Sequence, residues 1–411
     1  MIGRWTRACG VGKALSKSRI YALSRSRFSS VAGSHDVYEK RDSTIPRPKQ
    51  SDEAEKAAKL VMQGAIDEAK RLLAMDLSDS VGVQEIREPF HFLAGSSRAA
   101  LGLDAQERSY AIQLLDRLRE LDDPSLVQGV IPNEDSPNGG LINLMEQQLM
   151  PFRGTHQAFL VADKRFHHRG QDKEVLLESL SGATAVATAM ESFHNSHLYG
   201  TMVPDTLSCS MMLNLWLKRC VYLSHFTETP TDSERAALGG ADCVQDCVDA
   251  MEAYVNKMRV EAQYPNPSAD TYNLLITAWV QSGLDGSLDT ALELLRTAED
   301  DTDIGLLDEV PYNAILSGMA SAAQENQVWA DAACDLLDRM LKVQLAPSPT
   351  VASYASVLLA LANVGKVEHA QALLEQMERG AAAEQIQPNL ICYNIGETNR
   401  SFLRATGKVS H

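Results

Sequence analysis

The chain has 411 residues, of which 45% are hydrophobic and 6% aromatic, and its formal net charge is −16. This composition, with many alanines and leucines, suits stacked amphipathic helices. No apolar run approaches the roughly 18 residues that a membrane-spanning helix needs. The seven cysteines are scattered and form no CxxC pair, which argues against a disulfide framework and indicates a reducing compartment.

The N-terminal segment differs from the rest of the chain. Residues 1–33 contain seven lysines and arginines and frequent serines, and no acidic residue occurs before Asp36. This composition, without a hydrophobic signal-peptide core, predicts a mitochondrial transit peptide and a matrix location, with a plastid or a disordered basic tail as alternatives. Residues 34–52 are polar, contain Pro46 and Pro48, and are predicted to be a linker.

Helical patterns follow the predicted linker. Residues 53–150 are predicted to be helical, with a loop at 122–141. They form either degenerate repeats or a helical cap on the end of the repeat solenoid that the C-terminal half predicts, as described next. Residues 151–205 are predicted to form one degenerate repeat. The apolar positions in these regions are Ala111, Leu114, Leu115 and Leu118, and then Val186, Ala189, Met190 and Phe193.

A helix-start pattern recurs in the C-terminal half of the chain. A first residue, usually tyrosine, is followed by apolar residues at +3, +4 and +7, which places one apolar stripe on each helix. The first residues are Cys209, Tyr272, Tyr312 and Tyr354, and the last three follow one another at intervals of 40 and 42 residues. Such a period predicts an all-α, right-handed superhelical solenoid of antiparallel helix-turn-helix repeats.

A second stripe follows each first one and completes the repeat. It begins at Ala291, Ala333 and Ala370, and the two helices of a repeat are separated by Gly283 or Gly365 in two of the units. Prolines before the next first helix prevent the second helix from continuing. The predicted units are 206–268, with an insertion at about 224–242, then 269–308, 309–350, 351–389, and 390–411 as a partial repeat or a C-terminal cap.

These motifs resemble the pentatricopeptide repeat family, plain P type. The segments Pro267–Ile276 and Pro388–Asn394 resemble the start of such a repeat, and Gly365–Met377 resembles its second helix. Pro, Tyr-Asn, Gly, Ala and Met recur in one order, and the resemblance covers roughly residues 200–395.

The resemblance implies that single-stranded RNA lies along the first helices and that two side chains of each repeat recognise one base. One follows the helix-start tyrosine, and the other follows the proline that closes the repeat. Asp308 is placed by counting back from Tyr312, because its closing proline is absent. The implied pairs are Asn273 with Asp308, Asn313 with Thr350, Ala355 with Asn389, and Ser210 with Ser268, and Asn394 begins a partial unit.

The implied function is binding of an organellar transcript, with an effect on its stability, processing or translation, alongside other mitochondrial RNA-metabolism proteins. Two alternatives remain open. The asparagines could cap helices, and the chain could be a protein-interaction scaffold in a mitochondrial ribosome or RNA-processing complex. The negative charge favours the scaffold, because RNA binding usually requires cations that neutralise phosphates. Within 269–283, 311–322 and 351–365 the only charged residue is Asp270, so the predicted RNA face is near neutral.

Other candidate sites are weak, and the sequence predicts no enzyme, no cofactor and no metal centre. The chain contains no Walker loop, no serine elbow and no deaminase signature. Short helical spacings are more typical of core or surface residues than of metal ligands. The remaining candidates are the pairs His194/His197 and Cys243/Cys247, the basic cluster Lys164, Arg165, His167, His168 and Arg169, and the acidic run Asp300–Asp303.

Overall fold

The computed structural model describes the residues in the following ranges, and all of their regular structure is helical. The ranges are 52–75, 85–86, 89–90, 93, 105–121, 139–149, 152, 170–195, 203–226, 229–301, 304, 307–342, 346–381, 387–389 and 392–393. The predicted transit peptide and almost all of the predicted linker lie outside these residues. None of the helices in these ranges has both the length and the apolar character that crossing a membrane requires.

The helices are α1 Asp52–Leu73, α2 Ala105–Leu121, α3 Gly139–Gln148, α4 Gly170–Asn195, α5 Thr206–His225, α6 Asp232–Ala237, α7 Val244–Val260, α8 Ala269–Ser282, α9 Ser287–Asp300, α10 Glu309–Ala322, α11 Val328–Lys342, α12 Val351–Asn363 and α13 Val367–Ala381. They belong to two compact units. The first comprises Met1–Pro151 and Leu177–Val203, and the second comprises Phe152–Leu176 and Pro204–His411. The predicted all-α fold class is confirmed.

In the first unit, α1 packs against α2, and α2 contacts α3. Its buried side chains include Ala111, Leu114 and Leu115 of α2. The predicted loop at 122–141 is wrong at its C-terminal end, since α3 begins at Gly139. Glycine is tolerated there because it lies in the first turn, and the apolar residues that follow from Leu141 bury the helix. The predicted apolar face of α4, Val186, Ala189, Met190 and Phe193, is buried.

The second unit is a stack of helical hairpins. The first helices α5, α8, α10 and α12 contact one another in chain order, and each second helix (α7, α9, α11 or α13) packs on the first helix of its own hairpin. The helices α7, α9 and α11 also contact the first helix of the next hairpin. One continuous core therefore runs from Tyr272 to Cys392.

Most members of the predicted apolar stripes form this core, and Trp216, Trp279, Leu294 and Leu373 are only partly buried. Tyr272, Ile276, Tyr312 and Leu316 are at most 1% exposed. Trp279, which the spacing places on the same stripe, is only partly buried. Its Nε1–H donates to Glu252 Oε1 at 3.0 Å, and this polar partner keeps the edge of the indole ring near the surface.

The helix ends follow the predicted signals. Gly283 has φ 62° and Gly365 has φ 71°, a left-handed conformation that glycine adopts without a Cβ penalty. At the start of α5, Asp205 Oδ1 accepts from Ser208 N–H at 2.7 Å, and Asp205 N–H donates to Ser208 Oγ at 2.9 Å. These reciprocal bonds satisfy backbone donors that the helix itself leaves unpaired.

The insertion in the first hairpin is partly ordered by its own short helix. Thr231 and Glu234 form reciprocal capping bonds at the start of α6. Lys173 pairs with Glu234 at 3.1 Å, and the bonds to Thr231 hold the pKa of that carboxylate down, at about 2. Gly239 and Gly240 follow with positive φ, and the chain then enters α7.

Helix-start tyrosines are held by the second helix of the preceding hairpin. Arg259 of α7 donates to the hydroxyl of Tyr272, and the hydroxyl of Tyr312 donates to Glu299 of α9 at 2.5 Å. Glu299 also pairs with Arg339 of α11. Single side chains at the ends of second helices thus connect consecutive hairpins.

Buried thiols are a further feature of the second unit. Cys209, Cys220 and Cys247 are free and 0% exposed. Burial raises the pKa of the Cys209 thiol to about 11 and that of Cys220 to about 12. Such thiols are protonated and weakly nucleophilic at neutral pH, so they act as small apolar core residues.

Candidate nucleic-acid interface

The stacking of first helices brings two separate sequence positions together. Asn273 and Asn313 are each the fifth residue of their helices, α8 and α10, directly after the helix-start tyrosine. Asp308 and Thr350 are the N-cap residues of the next first helices, α10 and α12. Because consecutive first helices pack side by side, each asparagine lies next to the N-cap of the helix that follows.

Asn273 and Asp308 form the first such pair. Asn273 Nδ2 donates to Asp308 Oδ1 at 3.1 Å, and the same carboxylate oxygen caps α10 by accepting from Val310 N–H at 3.1 Å. Asn273 is 8% exposed, and its Oδ1 is buried without a hydrogen-bond partner. An unpaired buried acceptor costs about 1–3 kcal/mol, and this one lies below the surface that a ligand would contact.

Asn313 and Thr350 form the second pair, with a different bonding pattern. Asn313 Nδ2 donates to Thr350 Oγ1 at 3.3 Å, and Asn313 Oδ1 accepts from Ser353 Oγ at 2.6 Å. Thr350 also caps α12 through reciprocal bonds with Ser353. Both ends of the Asn313 amide are therefore occupied within the protein.

The helix-capping alternative does not hold for these two asparagines. The N-caps of α8 and α10 are Ser268 and Asp308, and each asparagine lies a full turn inside its helix. Its side chain instead bonds the cap of the next hairpin. In these two pairs the capping function belongs to the second member, Asp308 or Thr350.

The other predicted base-contacting residues are not joined in the same way. Ser268 bonds Thr271 of its own helix, at 3.3 Å between the two hydroxyl oxygens, and Ser210 is half-buried on α5. Ala355 has no polar side-chain atom, and Asn389 Oδ1 accepts from Cys392 N–H at 3.1 Å. Asn394 lies outside the described residues. Base recognition by all nine residues stays a prediction.

The face that carries the asparagines has few charges. The helices α8, α10 and α12 contain no lysine or arginine, and their only charged residues are Asp270 and Glu309. Small side chains occupy much of the remaining surface of these helices, for example Ala314 and Ser317 of α10 and Ala352 of α12. Any ligand on this face would therefore be bound mainly by hydrogen bonds and apolar contact.

Two cations of α5 have limited access to solvent. Lys218 and Arg219 lie inside α5, which continues to His225. Arg219 is 4% exposed, and its guanidinium lies 4.2 Å from the centre of the Trp216 ring. A Cβ on Gly239 would come within 2.5 Å of Arg219 Nη1, so the glycine permits the insertion to cover this cation. Burial lowers the pKa of Lys218.

The weaker candidate sites are only partly described. Cys247 is buried and Cys243 exposed, while His197 and the basic cluster at residues 164–169 lie outside the described residues. Asp300 is the last residue of α9 and Asp301 follows it as the C-cap, whereas residues 302–303 lie outside. Where side chains are described, no three histidine, cysteine or acidic residues are grouped as metal ligands would be.

Ser353 is the residue that sequence analysis missed at this interface. Its hydroxyl is three residues after the cap and bonds an asparagine 40 residues earlier. A Thr-x-x-Ser capping pattern is visible at residues 350–353. That pattern explains the bond to Thr350, but it does not indicate the bond to Asn313.

Comparisons with known proteins give weak structural likenesses. The crystal structure of the pentatricopeptide repeat protein PPR10 from maize aligns with a TM-score of 0.34 and 16% identity, over 89% of this chain and 54% of that one. PPR10 in complex with an 18-nt psaJ RNA element aligns with a TM-score of 0.29 and 13% identity, over 86% and 51%. This chain thus spans about half the length of PPR10. No protein-family model and no curated protein matches the sequence.

Residues and contacts of this chain agree on the same hairpin arrangement. The Tyr-Asn pattern recurs 40 residues apart, each copy opens a first helix, and each asparagine bonds the cap of the next hairpin. Gly283 and Gly365 turn the chain between first and second helices. The helices α5 and α7 to α13 therefore form a solenoid of antiparallel helical hairpins.

Proposed function

We propose that the second unit binds a short stretch of single-stranded RNA along the face formed by α8, α10 and α12, with one base at each asparagine pair. The observation that carries the proposal is the repetition of one arrangement, an asparagine on a first helix bonded to the next helix cap, at Asn273–Asp308 and at Asn313–Thr350. Amide and carboxylate groups at a fixed repeat spacing match the donors and acceptors of successive base edges.

The bases expected at the two pairs follow from the family resemblance. Asparagine with aspartate is expected to prefer uracil, and asparagine with threonine is expected to prefer cytosine over uracil. Ala355 with Asn389 would favour adenine weakly, because alanine forms no hydrogen bond. The preferred sequence is then a uracil followed by a pyrimidine, in the 5′ to 3′ direction from the N-terminal side.

A competition assay tests this assignment. Asp308→Asn should shift the preferred base at the first position from uracil toward cytosine and leave total affinity almost unchanged, because no phosphate contact is lost. Oligonucleotides that differ at that one base would compete for the wild type and the variant. Asp270→Asn is the matched control: it makes the same charge change on an exposed residue of α8 and should leave the base ranking unchanged. An identical ranking for wild type and Asp308→Asn contradicts the assignment.

The salt dependence of binding tests the mode of contact. A face without lysine or arginine neutralises few phosphates, so the logarithm of affinity should fall only shallowly with the logarithm of salt concentration. Filter binding with organellar RNA at two salt concentrations measures this slope. A steep slope would place the RNA on a basic surface elsewhere in the chain.

A second function, a protein-interaction scaffold, is favoured by the charge of the chain. The net charge is −16, and α8, α10 and α12 carry only two charged residues, both acidic. An extended peptide or a helix could pack on such a face. If no oligonucleotide binds at low salt, the RNA proposal is rejected and the scaffold becomes the better account.

We also propose that the chain acts in mitochondria, on organellar transcripts. The support is the composition of residues 1–33, which are basic and free of acidic residues. A fluorescent reporter fused to residues 1–33 should enter mitochondria, whereas the same reporter fused to residues 34–52 should not. Cytosolic fluorescence from the first fusion would reject the proposal.

A further inference from the structure

The two asparagine amides have opposite hydrogen-bonding states. The Asn313 amide is closed, because Thr350 accepts from its nitrogen and Ser353 donates to its oxygen. The Asn273 amide is open: its nitrogen bonds Asp308, and its oxygen is buried without a partner. The sequence gives both positions the same Tyr-Asn dipeptide, so this difference originates outside the dipeptide.

The residue three positions after the next helix cap accounts for the difference. In α12 that residue is Ser353, whose hydroxyl accepts from Thr350 N–H at 2.9 Å and donates to Asn313 Oδ1 at 2.6 Å. In α10 the equivalent residue is Pro311, which has no side-chain donor. Ser353 is 0% exposed.

We propose that this position, Ser353 in one case and Pro311 in the other, is a third determinant of base specificity, acting through the asparagine and not by contact with the base. Ser353 gives the Asn313 amide a second contact beside Thr350 and so restricts its rotation. Pro311 gives Asn273 no such contact, so the bond to Asp308 is the one that holds that amide among the described residues. The inference rests on the proposed RNA-binding function.

A reciprocal pair of substitutions tests the proposal by oligonucleotide competition. Ser353→Ala should reduce the ratio between the best and worst base at the Asn313 position several-fold, because the amide loses one of its two contacts and is held less firmly. Ser353→Thr keeps the hydroxyl and should restore the ratio. Pro311→Ser supplies the missing donor to Asn273 and should raise the same ratio at the first position several-fold. Unchanged base ratios in Ser353→Ala and Pro311→Ser overturn the proposal.

Ser208→Ala is the control for lost helix capping. Ser208 occupies the same position in α5, is 0% exposed, and accepts from the N-cap Asp205 N–H at 2.9 Å, the same distance as at Ser353. The substitution therefore removes an equivalent capping bond without touching an asparagine pair. A loss of base discrimination in Ser208→Ala equal to that in Ser353→Ala would show a general effect of capping and would overturn the proposal.

A double-mutant cycle in urea unfolding separates the amide contact from RNA binding. Asn313→Ala and Ser353→Ala should be coupled by about fivefold in the unfolding constant, the value of one buried hydrogen bond, whereas Asn313→Ala and Ser208→Ala should be additive. Absence of coupling removes the structural basis of the inference. If the coupling is present and the wild type binds no RNA, the proposed function fails and the role of Ser353 in specificity fails with it. If the wild type binds RNA but Ser353→Ala ranks the bases like the wild type, the inference alone fails.

Discussion

First and second helices of the solenoid differ in how many sides they bury. The first helices α8, α10 and α12 contact first helices before or after them as well as second helices, and they contain only Asp270 and Glu309 as charged residues. The second helices α9, α11 and α13 carry acidic residues on exposed positions along their length. A first helix is therefore packed against neighbours in its own and adjacent hairpins, whereas a second helix carries the charged outer surface on its exposed side.

The largest expected effect is the loss of a buried first-helix side chain. Leu316 of α10 is 0% exposed, and Leu316→Ala should destabilise the solenoid by about 2–5 kcal/mol through lost apolar burial and a cavity. Urea unfolding monitored by circular dichroism measures the change. On the second helix α13, Glu368 is exposed, and Glu368→Ala should stay within about 0.5 kcal/mol. Similar losses of stability in the two variants would contradict the difference between first and second helices.

High pH should weaken the contact between α9 and α10 at Tyr312. Burial raises the pKa of the Tyr312 hydroxyl from 10 to about 12, so the folded state keeps its proton while the unfolded chain loses it. The free energy of unfolding is therefore unaffected below pH 10 and falls as the pH rises to 12, by at most about 2.7 kcal/mol. Unfolding of wild type and of Tyr312→Phe, measured from about pH 9 to pH 12, checks the effect. The variant should lose less stability over this range, and parallel curves would contradict the assignment.

Close packing between hairpins should make alanine destabilising at one glycine position. A Cβ on Gly318 of α10 would lie 2.6 Å from Val280 Cγ1 and 2.8 Å from Leu288 Cδ2. Gly318→Ala should therefore cost about 1–2 kcal/mol, since overpacking exceeds the helix-propensity gain of about 1 kcal/mol. Thermal unfolding measures it, with Ser317→Ala as the control on the adjacent, half-buried position. A more stable Gly318→Ala would mean that the hairpins separate easily at this point.

The smallest effect is expected where a second helix lacks a contact that its neighbours make. Leu341 of α11 corresponds to Arg259 and Glu299, which bond Tyr272 and Tyr312, but it is apolar and 44% exposed. Leu341→Glu should accept a hydrogen bond from Tyr354 and stabilise the solenoid by about 0.5–1 kcal/mol. The gain should vanish in a Tyr354→Phe background. An equal gain in both backgrounds would show that the effect comes only from removing an exposed leucine.

Local patterns in the sequence determined the helices, their ends and the repeat. The +3, +4, +7 stripes predicted the buried faces, Gly283 and Gly365 predicted the turns, and the repeat interval predicted hairpins, because periodicity and backbone preference act within about ten residues. The same local rules failed at Gly139, where the apolar residues of α3 outweigh a weak helix former.

Only the tertiary structure decided which side chains meet across hairpins. The bond between Ser353 and Asn313 spans 40 residues, and the contact of Tyr312 with Glu299 joins two different hairpins. The burial of Arg219 beneath Gly239 depends on how an insertion folds back over α5. These contacts depend on the register and side-chain direction of neighbouring helices, which no short sequence window contains. The sequence therefore indicates two equivalent asparagine sites, and the packing of the next helix makes one amide closed and the other open.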